Sequence, residues 1–319
     1  LVALADRLID RFSETIMIDG DHVRVGASVG VAAAGPSAQA SGEADRLLTN
    51  ADIALYDAKN GGKGRIEVFS DGRRIEFEER RRLAVELQQA IAQDQIEPWF
   101  QPQICVAEGK VIGFECLVRW RHPERGVISP AHFLDLASET GLIDSIGETM
   151  IRKSLAALAV WRSEGLDVAR IGLNMSAREL RDARFVDKLA WDVDAAGLSP
   201  SDVAIEILES ALINDDADPV IRNVTALGAA GFSIELDDFG TGHASISNLK
   251  KFRVHKLKID RSFVTGIDRL PEQRKITGAI INLAHSLGVE VLAEGVETNE
   301  ERAMLGELGC DYLQGFALG

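Results

Sequence analysis

The 319-residue sequence has few cysteines and no long apolar segment, and both shortages narrow the class of protein. The three cysteines, Cys105, Cys116 and Cys310, are scattered and form no CxxC pair. A disulfide framework and a structural zinc site are therefore not expected, and the chain suits a reducing, cytoplasmic compartment. No stretch approaches the ~18 uninterrupted apolar residues that a membrane-spanning helix needs. The chain begins at Leu1 rather than Met, as expected for a fragment of a longer protein.

Positive charge is also scarce. The 35 Lys and Arg residues are outnumbered by 50 Asp and Glu residues, which gives a net charge of −15 and an isoelectric point near 4.9. So acidic a chain is not expected to bind DNA or RNA through a broad contact with the phosphate backbone. A small anionic ligand is still compatible with this charge if metal ions mediate the contact. The six histidines include no close pair of the metal-ligand type, so a metal ion should be held by oxygen ligands.

The chain divides near residues 70–82, where a Ser-Asp-Gly turn signal is followed by a densely charged segment. We predict a partial α+β domain over residues 1–72, a charged linker or helix over 73–82 and a second domain over 83–319. Inside the first domain, the pattern predicts a strand over residues 23–31 and a helix over 43–60. About 70 residues fold alone only marginally, so this piece is expected to be the end of a larger domain.

In the second domain, short strand-like runs alternate with amphipathic helices. The runs begin near Glu97, Val111, Arg170, Asp202, Ser233, Lys256, Glu290 and Tyr312. Eight strands with intervening helices predict an α/β fold of the (β/α)8, or TIM-like, barrel type. Only the short turn Glu108-Gly109 joins the first two strands, so they should form an antiparallel pair in a modified barrel. An open, doubly wound sheet is the alternative that strand count leaves open.

Polar residues occupy alternate positions of these strands, where they should face the barrel lumen. Glu115 and Arg119 share one face of their strand, and the adjacent Asp237 and Asp238 end another strand. Other polar residues within or at the ends of strands are Asn174, Glu206, Lys258, Glu294 and Gln314. Together they predict a polar site at the carboxyl ends of the strands, where barrel enzymes place their chemistry.

Several carboxylates at one end of a barrel would repel each other unless cations lie among them. Oxygen ligands suit Mg²⁺, Mn²⁺ or Ca²⁺, and Asp237 beside Asp238 suits two neighbouring ions. Lys258 and Arg119 would supply positive charge for a phosphate. The residues alone thus predict a divalent-metal barrel enzyme acting on a phosphate ester, with an enolase-type barrel acting on a carboxylate as the alternative.

The motifs of the second domain resemble those of the EAL domain, the phosphodiesterase of bacterial cyclic di-GMP signalling. The resemblance runs from about residue 83 to the end. It rests on residues 100–102 (FQP), 115–120 (ECLVRW), 173–176 (LNMS), 206–210 (EILES), 237–242 (DDFGTG), 257–260 (LKID), 293–298 (AEGVET) and 314–316 (QGF). Residues 27–31 and 51–59 resemble the C-terminal part of a GGDEF, or diguanylate cyclase, domain, whose signature stretch is absent here. No synthesis of cyclic di-GMP is therefore expected.

The EAL resemblance implies that cyclic di-GMP is hydrolysed to linear pGpG by in-line attack of a water held between two ions. The ions would be Mg²⁺ or Mn²⁺, and Ca²⁺ would inhibit. By motif, the metal ligands would be Glu115, Asn174, Glu206, Asp237 and Asp238. The resemblance further implies a homodimer formed through the barrel.

The same motifs imply roles for the remaining candidates. Glu294 would act as a base or orient a ligand, and Lys258 would steady the attacking water or the developing charge. Glu209 would anchor the loop after Asp238. The residues that contact or line the substrate site would be Gln101, Arg119 and Gln314.

This sequence departs from the family pattern at a few positions. Cys116 replaces the Ala of the signature and Leu208 replaces a usual Thr, and neither is expected to be a ligand. His243-Ala244 replaces a Tyr-Ser pair in the loop that governs metal affinity and dimer contacts. That departure makes a catalytically silent receptor for cyclic di-GMP the alternative function.

Overall fold

The computed structural model describes residues 1–18, 21–34, 43–212, 218–240, 249 and 252–318. The chain forms two compact units, Leu1–Leu87 and Gln88–Gly319. Every helix among the described residues is too short or too polar to cross a lipid bilayer.

Among its described residues, the first unit contains two helices, most of a third that continues to Ala92, and four short strands. They are α1 (Val2–Phe12), β1 (Ile16–Ile18), β2 (Asp21–Val23), β3 (Val29–Val31), α2 (Glu43–Asn60), β4 (Ile66–Val68) and α3 (Asp71–Ala92). β1 pairs antiparallel with β2, and β3 pairs parallel with β4. The helix predicted over 43–60 is α2, and the charged segment 73–82 lies inside α3.

The prediction of a single strand over residues 23–31 is wrong. The structure forms β2 and β3 there, separated by residues 24–28, which take no strand conformation. The two strands have different partners, β1 in a hairpin and β4 in a parallel pair. A single straight strand cannot serve both sheets, so the chain must break between them.

The second unit contains nine strands among its described residues. They are β5 (Ile96–Cys105), β6 (Val111–His122), β7 (Gly126–Ile128), β8 (Arg170–Met175), β9 (Val203–Leu208), β10 (Ser233–Phe239), β11 (Lys256–Ile259), β12 (Glu290–Ala293) and β13 (Tyr312–Leu313). The helices described beside them are α4 (Leu134–Thr140), α5 (Ile143–Ser163), α6 (Phe185–Ala195), α7 (Pro219–Ala229), α8 (Arg261–Val264), α9 (Pro271–Ser286) and α10 (Asn299–Glu307).

Eight of these strands close into a barrel. The order around it is β5-β13-β12-β11-β10-β9-β8-β6, and the pairing of β5 with β6 closes the ring. β5 runs antiparallel to both of its neighbours, whereas the other barrel pairs are parallel. Closure excludes the open, doubly wound sheet. β7 is an addition that sequence reasoning missed, and it pairs only with the end of β6.

Strand alternation sorts apolar and polar residues between the two sides of the barrel wall. Ile205 and Ile207 of β9 are fully buried on the outer side, as is Leu236 of β10. Glu206 and Asp237 alternate with them and point into the lumen. The hydrophobic core therefore lies between the strands and the surrounding helices, and the lumen is left to polar side chains.

Candidate metal and active site

Five parallel strands bring their polar residues to one end of the lumen. Glu115 of β6, Glu206 of β9, Asp237 of β10 and Lys258 of β11 are all buried, with at most 9% of each residue exposed. Glu294 directly follows β12. Parallel strands end on the same side of a barrel, so residues far apart in sequence converge here.

Lys258 lies at the centre of this cluster and contacts four carboxylates. Its Nζ lies 2.6 Å from Glu206 Oε2 and 2.7 Å from Glu294 Oε1. It also lies 3.2 Å from Glu115 Oε2 and 3.2 Å from Asp237 Oδ1. One fully buried ammonium thus faces four carboxyl groups, of which Glu294 is the most exposed, with 20% of its side chain accessible.

The imbalance of charge shifts the pKa values of the cluster. Burial lowers the pKa of Lys258, but the surrounding carboxylates outweigh it and raise this pKa well above its usual value. Burial raises the pKa of Glu294 to about 8. Burial, with the nearby Glu115, also raises the pKa of Glu206 well above its usual value. Lys258 therefore stays charged, and not every carboxyl group can stay ionised without further cations.

One buried carboxylate oxygen of the cluster has no partner within the described part of the chain. Glu206 Oε1 is buried and has no hydrogen-bond partner among the described residues. Burying a carboxylate oxygen without a partner costs several kcal/mol of folding free energy. A cation bound at this oxygen would offset that cost. Carboxylate oxygens of Glu115, Glu206 and Asp237 lie within 4.8 Å of one another, and so do those of Asp237, Asp238 and Glu294. The donor set fits two hard divalent ions that share Asp237.

A bulge turns two adjacent aspartates toward the same site. Neighbouring residues of a regular strand point to opposite faces, so Asp237 and Asp238 could not otherwise both contribute. The pairing of β10 with β11 shifts register between Leu236 and Phe239. Asp238 takes a left-handed backbone conformation with φ 54°, which Asp tolerates better than most residues. Its backbone N–H donates to Asp237 Oδ1 at 3.0 Å.

Amide side chains hold Glu115 from two sides. Asn174 Nδ2 donates to Glu115 Oε1 at 2.7 Å, and Gln314 Nε2 donates to Glu115 Oε2 at 2.5 Å. Gln314 Nε2 also donates to Gln101 Oε1 at 3.0 Å. The structure thus brings Asn174, Gln101 and Gln314 together around one carboxylate of the cluster.

Arg119 lies on the same face of β6 as Glu115, nearer the open end of the barrel. Its guanidinium lies 5.6 Å from the centroid of the Trp99 ring, in a cation–π arrangement. Its Nη1 donates to the carbonyl of Val118 at 2.8 Å. Trp99 is 45% exposed and Arg119 is partly exposed, so both side chains are available to a ligand at the mouth. Sequence reasoning missed Trp99, although its alternation with Gln101 places it on the same face.

Three further candidates lie at the edge of the cluster or outside it. Glu209 follows β9, and its Oε2 accepts the backbone N–H of Gly240 at 2.9 Å, just beyond Asp238. Cys116 is buried and lines an apolar cavity of about 340 Å³ between the strands and helices α4 and α5. Burial raises the pKa of its thiol to about 12. His243-Ala244 lies outside the described residues.

Sequence reasoning also missed a second polar layer, deeper in the barrel. Glu235 precedes Asp237 by two residues, Lys256 precedes Lys258 by two, and Gln103 follows Gln101 by two. All three are buried, with at most 4% exposed. The period of two was a usable signal, because each residue shares the lumen face with a residue that was singled out.

Comparisons with known proteins identify the family of the second unit. The sequence profile described as EAL domain matches residues 84–319. An uncharacterized signaling protein of Caulobacter vibrioides is 39% identical over 316 residues, covering 99% of this chain and 38% of that protein. The bifunctional diguanylate cyclase/cyclic di-GMP phosphodiesterase MucR of Pseudomonas aeruginosa is 36% identical over 316 residues, covering 99% of this chain and 46% of MucR. This chain therefore spans less than half the length of either relative.

A solved structure shows the same fold. The PaMucR phosphodiesterase in its c-di-GMP complex superimposes with a TM-score of 0.71 at 37% sequence identity. The match covers 75% of this chain and 96% of that one.

Proposed function

The chain belongs to the EAL domain family, and on that premise we propose that its barrel hydrolyses cyclic di-GMP to linear pGpG. The observation that carries the proposal is the cluster around Lys258, in which four carboxyl groups surround one ammonium. This excess of negative charge favours divalent cations, and cations in turn favour an anionic substrate. Relatives named as cyclic di-GMP phosphodiesterases support the choice of substrate.

We propose that the ions are Mg²⁺ or Mn²⁺ and that Ca²⁺ inhibits. One ion would be held by Glu115, Asn174, Glu206 and Asp237, and a second by Asp237 and Asp238 with Glu294 close by. Such ions, when bound, polarise a phosphodiester and make a nearby water a better nucleophile at neutral pH.

The side chains of the cluster provide the remaining chemistry. Glu294, which lies beside Asp237 and Asp238, would accept the proton of the attacking water once bound cations keep its carboxyl group ionised. The water oxygen forms a bond to phosphorus, the bond from phosphorus to the 3′ oxygen breaks in line with it, and that oxygen takes a proton from solvent. Lys258 lies 2.7 Å from Glu294 Oε1, so it steadies the carboxylate and the negative charge that develops.

Three residues near the mouth would hold the substrate. Arg119 presents a guanidinium for a phosphate oxygen, and Gln101 presents its amide. Gln314 lines the site beside Glu115. Glu209 has a structural part in this scheme, because its bond to Gly240 anchors the chain directly after Asp238.

The function is tested by incubating the purified chain with cyclic di-GMP and Mg²⁺ or Mn²⁺ and separating the products by chromatography. We expect pGpG to appear and EDTA to abolish it. Asp238→Asn should lower the rate at least ~100-fold, whereas Asp194→Asn, an isosteric change on the exposed side of α6, should not. Binding of cyclic di-GMP without any turnover would instead identify a silent receptor. A protein that neither binds nor hydrolyses the nucleotide would contradict the proposal.

Two further proposals concern the rest of the chain. Residues 1–72 would be the end of a GGDEF-type domain, and the match to MucR supports this because it covers 99% of the chain. The barrel would form a homodimer, as the resemblance to the family implies. Sedimentation equilibrium of the chain tests the second proposal, since a monomer at micromolar concentration would contradict it.

A further inference from the structure

A chain of side-chain hydrogen bonds runs up the barrel lumen to the candidate site. Lys256 Nζ donates to Gln103 Oε1 at 3.1 Å, and Gln103 Nε2 donates to Gln314 Oε1 at 3.2 Å. Gln314 Nε2 then donates to Glu115 Oε2 and to Gln101 Oε1. Lys256 is 3% exposed and Gln103 is 4% exposed. Neither residue belongs to the metal cluster.

The two ends of this chain impose one direction on the amides between them. An ammonium can only donate hydrogen bonds, whereas an ionised carboxylate can only accept them. Lys256 therefore holds Gln103 Oε1 toward its own Nζ, and this orientation directs Gln103 Nε2 toward Gln314. Gln314 must then direct its oxygen at Gln103 and its nitrogen at Glu115. With its own oxygen occupied by Gln314, Gln101 has its N–H groups left for a ligand at the mouth.

We propose that Gln103 and Lys256 are positioning residues for the reaction. They act through Gln314, whose amide orientation they set, and thereby orient Glu115 as a ligand and Gln101 as a hydrogen-bond donor to a phosphate oxygen. The part that concerns Gln101 rests on the proposed function. The part that concerns Glu115 does not, because it requires only that the cluster bind a divalent cation.

The buried ion pair at the base of the chain supports a role beyond packing. Lys256 Nζ lies 3.0 Å from Glu235 Oε1, and both side chains are almost fully buried. Apolar residues of similar volume would fill this space at equal or lower cost. A buried ammonium at this position has a reason if its N–H groups are needed as hydrogen-bond donors. The hydrogen bond from Lys256 to Gln103 is such a use. The carboxylate of Glu235 supplies the charge opposite to this ammonium.

Two substitutions at position 103 separate positioning from packing. Gln103→Glu is isosteric and keeps an acceptor for Lys256, but it replaces the donor that faces Gln314 with a second acceptor. Gln314 must then turn or face a carboxylate, and in turning it would direct its oxygen at Glu115. Gln103→Met removes both bonds but reverses neither, so Glu115 still attracts the nitrogen of Gln314. Gln89→Glu, on the exposed side of α3, controls for the added charge.

We expect Gln103→Glu to weaken Mn²⁺ binding at least ~10-fold in calorimetry without nucleotide, the size usual when a group that orients a metal ligand is lost. Gln103→Met should weaken it less. The KM for cyclic di-GMP should rise more in Gln103→Glu as well. If Gln103→Met is impaired as much as Gln103→Glu, or if both bind Mn²⁺ like the unaltered chain, the proposal is wrong. Circular dichroism establishes that both variants fold.

A second pair of variants keeps the test decisive if Gln103→Glu does not fold. Lys256→Arg retains a donor for Gln103, whereas Lys256→Met combined with Glu235→Leu replaces the ion pair with apolar groups. We expect Lys256→Arg to bind Mn²⁺ within about threefold of the unaltered chain and the double variant to bind it more weakly. Equal affinities would overturn the proposal. Mn²⁺ affinity is measured without cyclic di-GMP, so a failure of the proposed substrate leaves this result interpretable.

Discussion

The carboxylate of Glu206 occupies the space that a side chain at position 172 would need. A Cβ added to Gly172 would lie 1.9 Å from Glu206 Oε1, the same oxygen that has no hydrogen-bond partner among the described residues. Gly172 lies on β8, next to β9 and on the lumen face. The missing side chain on one strand therefore makes room for the ligand oxygen on the next.

Gly172→Ala should displace Glu206 and damage the site. We expect Mn²⁺ binding and hydrolysis to fall at least ~100-fold, because a close-packed interior relieves such an overlap only by moving one of the two groups. Calorimetry and product chromatography measure both. Gly72→Ala, in the first turn of α3, is the control and should leave both unchanged. An active Gly172→Ala variant would show that Glu206 does not need its observed position.

Lys258→Met should make the fold depend on divalent cations. Among the described residues, Lys258 is the only cation that contacts the carboxylates of Glu115, Glu206, Asp237 and Glu294. Removing it leaves buried negative charge without compensation, which lowers the free energy of unfolding by about 3–5 kcal/mol. Mn²⁺ should restore part of this loss, since it supplies the missing positive charge. Urea unfolding with EDTA and with Mn²⁺ measures the difference. A variant as stable as the unaltered chain in EDTA would contradict the central place of Lys258.

Glu294 should make the metal-free protein less stable as pH rises. Its pKa is about 8 in the folded chain and 4.5 for the ordinary side chain, so the folded state holds the proton more tightly. The stabilisation is fully present below pH 4.5 and is lost as pH rises through 8. The free energy of unfolding is measured by urea unfolding in EDTA between pH 5 and 8, for the unaltered chain and for Glu294→Gln. The slope should be shallower in Glu294→Gln, and an identical slope would exclude Glu294 as its source.

Three substitutions at Asp238 should separate backbone strain from charge. The left-handed conformation, with φ 54°, is accessible to Gly and Asn but costs most other residues roughly 1 kcal/mol. Asp238→Gly and Asp238→Asn should therefore be more stable than Asp238→Ala by about that amount in urea unfolding. All three should be equally poor in hydrolysis, because each lacks the carboxylate. Equal stability of the three would mean that the bulge does not constrain this residue.

Much of the candidate site was predictable because strand alternation is written in the sequence. A polar residue between two apolar neighbours indicated the lumen face of a strand, as at Glu206 and at Lys258. In the structure, Lys258 Nζ lies 2.6 Å from Glu206 Oε2.

The deeper layer was missed for a physical reason. Gln103 and Lys256 are as regular in their alternation as Gln101 and Lys258, but neutral amides and a lone lysine carry no chemical signature by themselves. Their significance appears only when the direction of each hydrogen bond is known. That direction depends on partners contributed by β5, β11 and β13.

The amino-acid sequence alone located the eight barrel strands and their polar faces, because both follow from a local period of two. It also determined that the polar face is rich in oxygen ligands. It did not locate β7 or the break between β2 and β3. Tertiary contacts were needed to establish that β5 also pairs with β13 and so closes the ring, that a bulge turns Asp238 beside Asp237, and that Gly172 makes room for Glu206. These depend on contacts between segments that are distant in sequence, and such contacts form only when the whole barrel closes around its lumen.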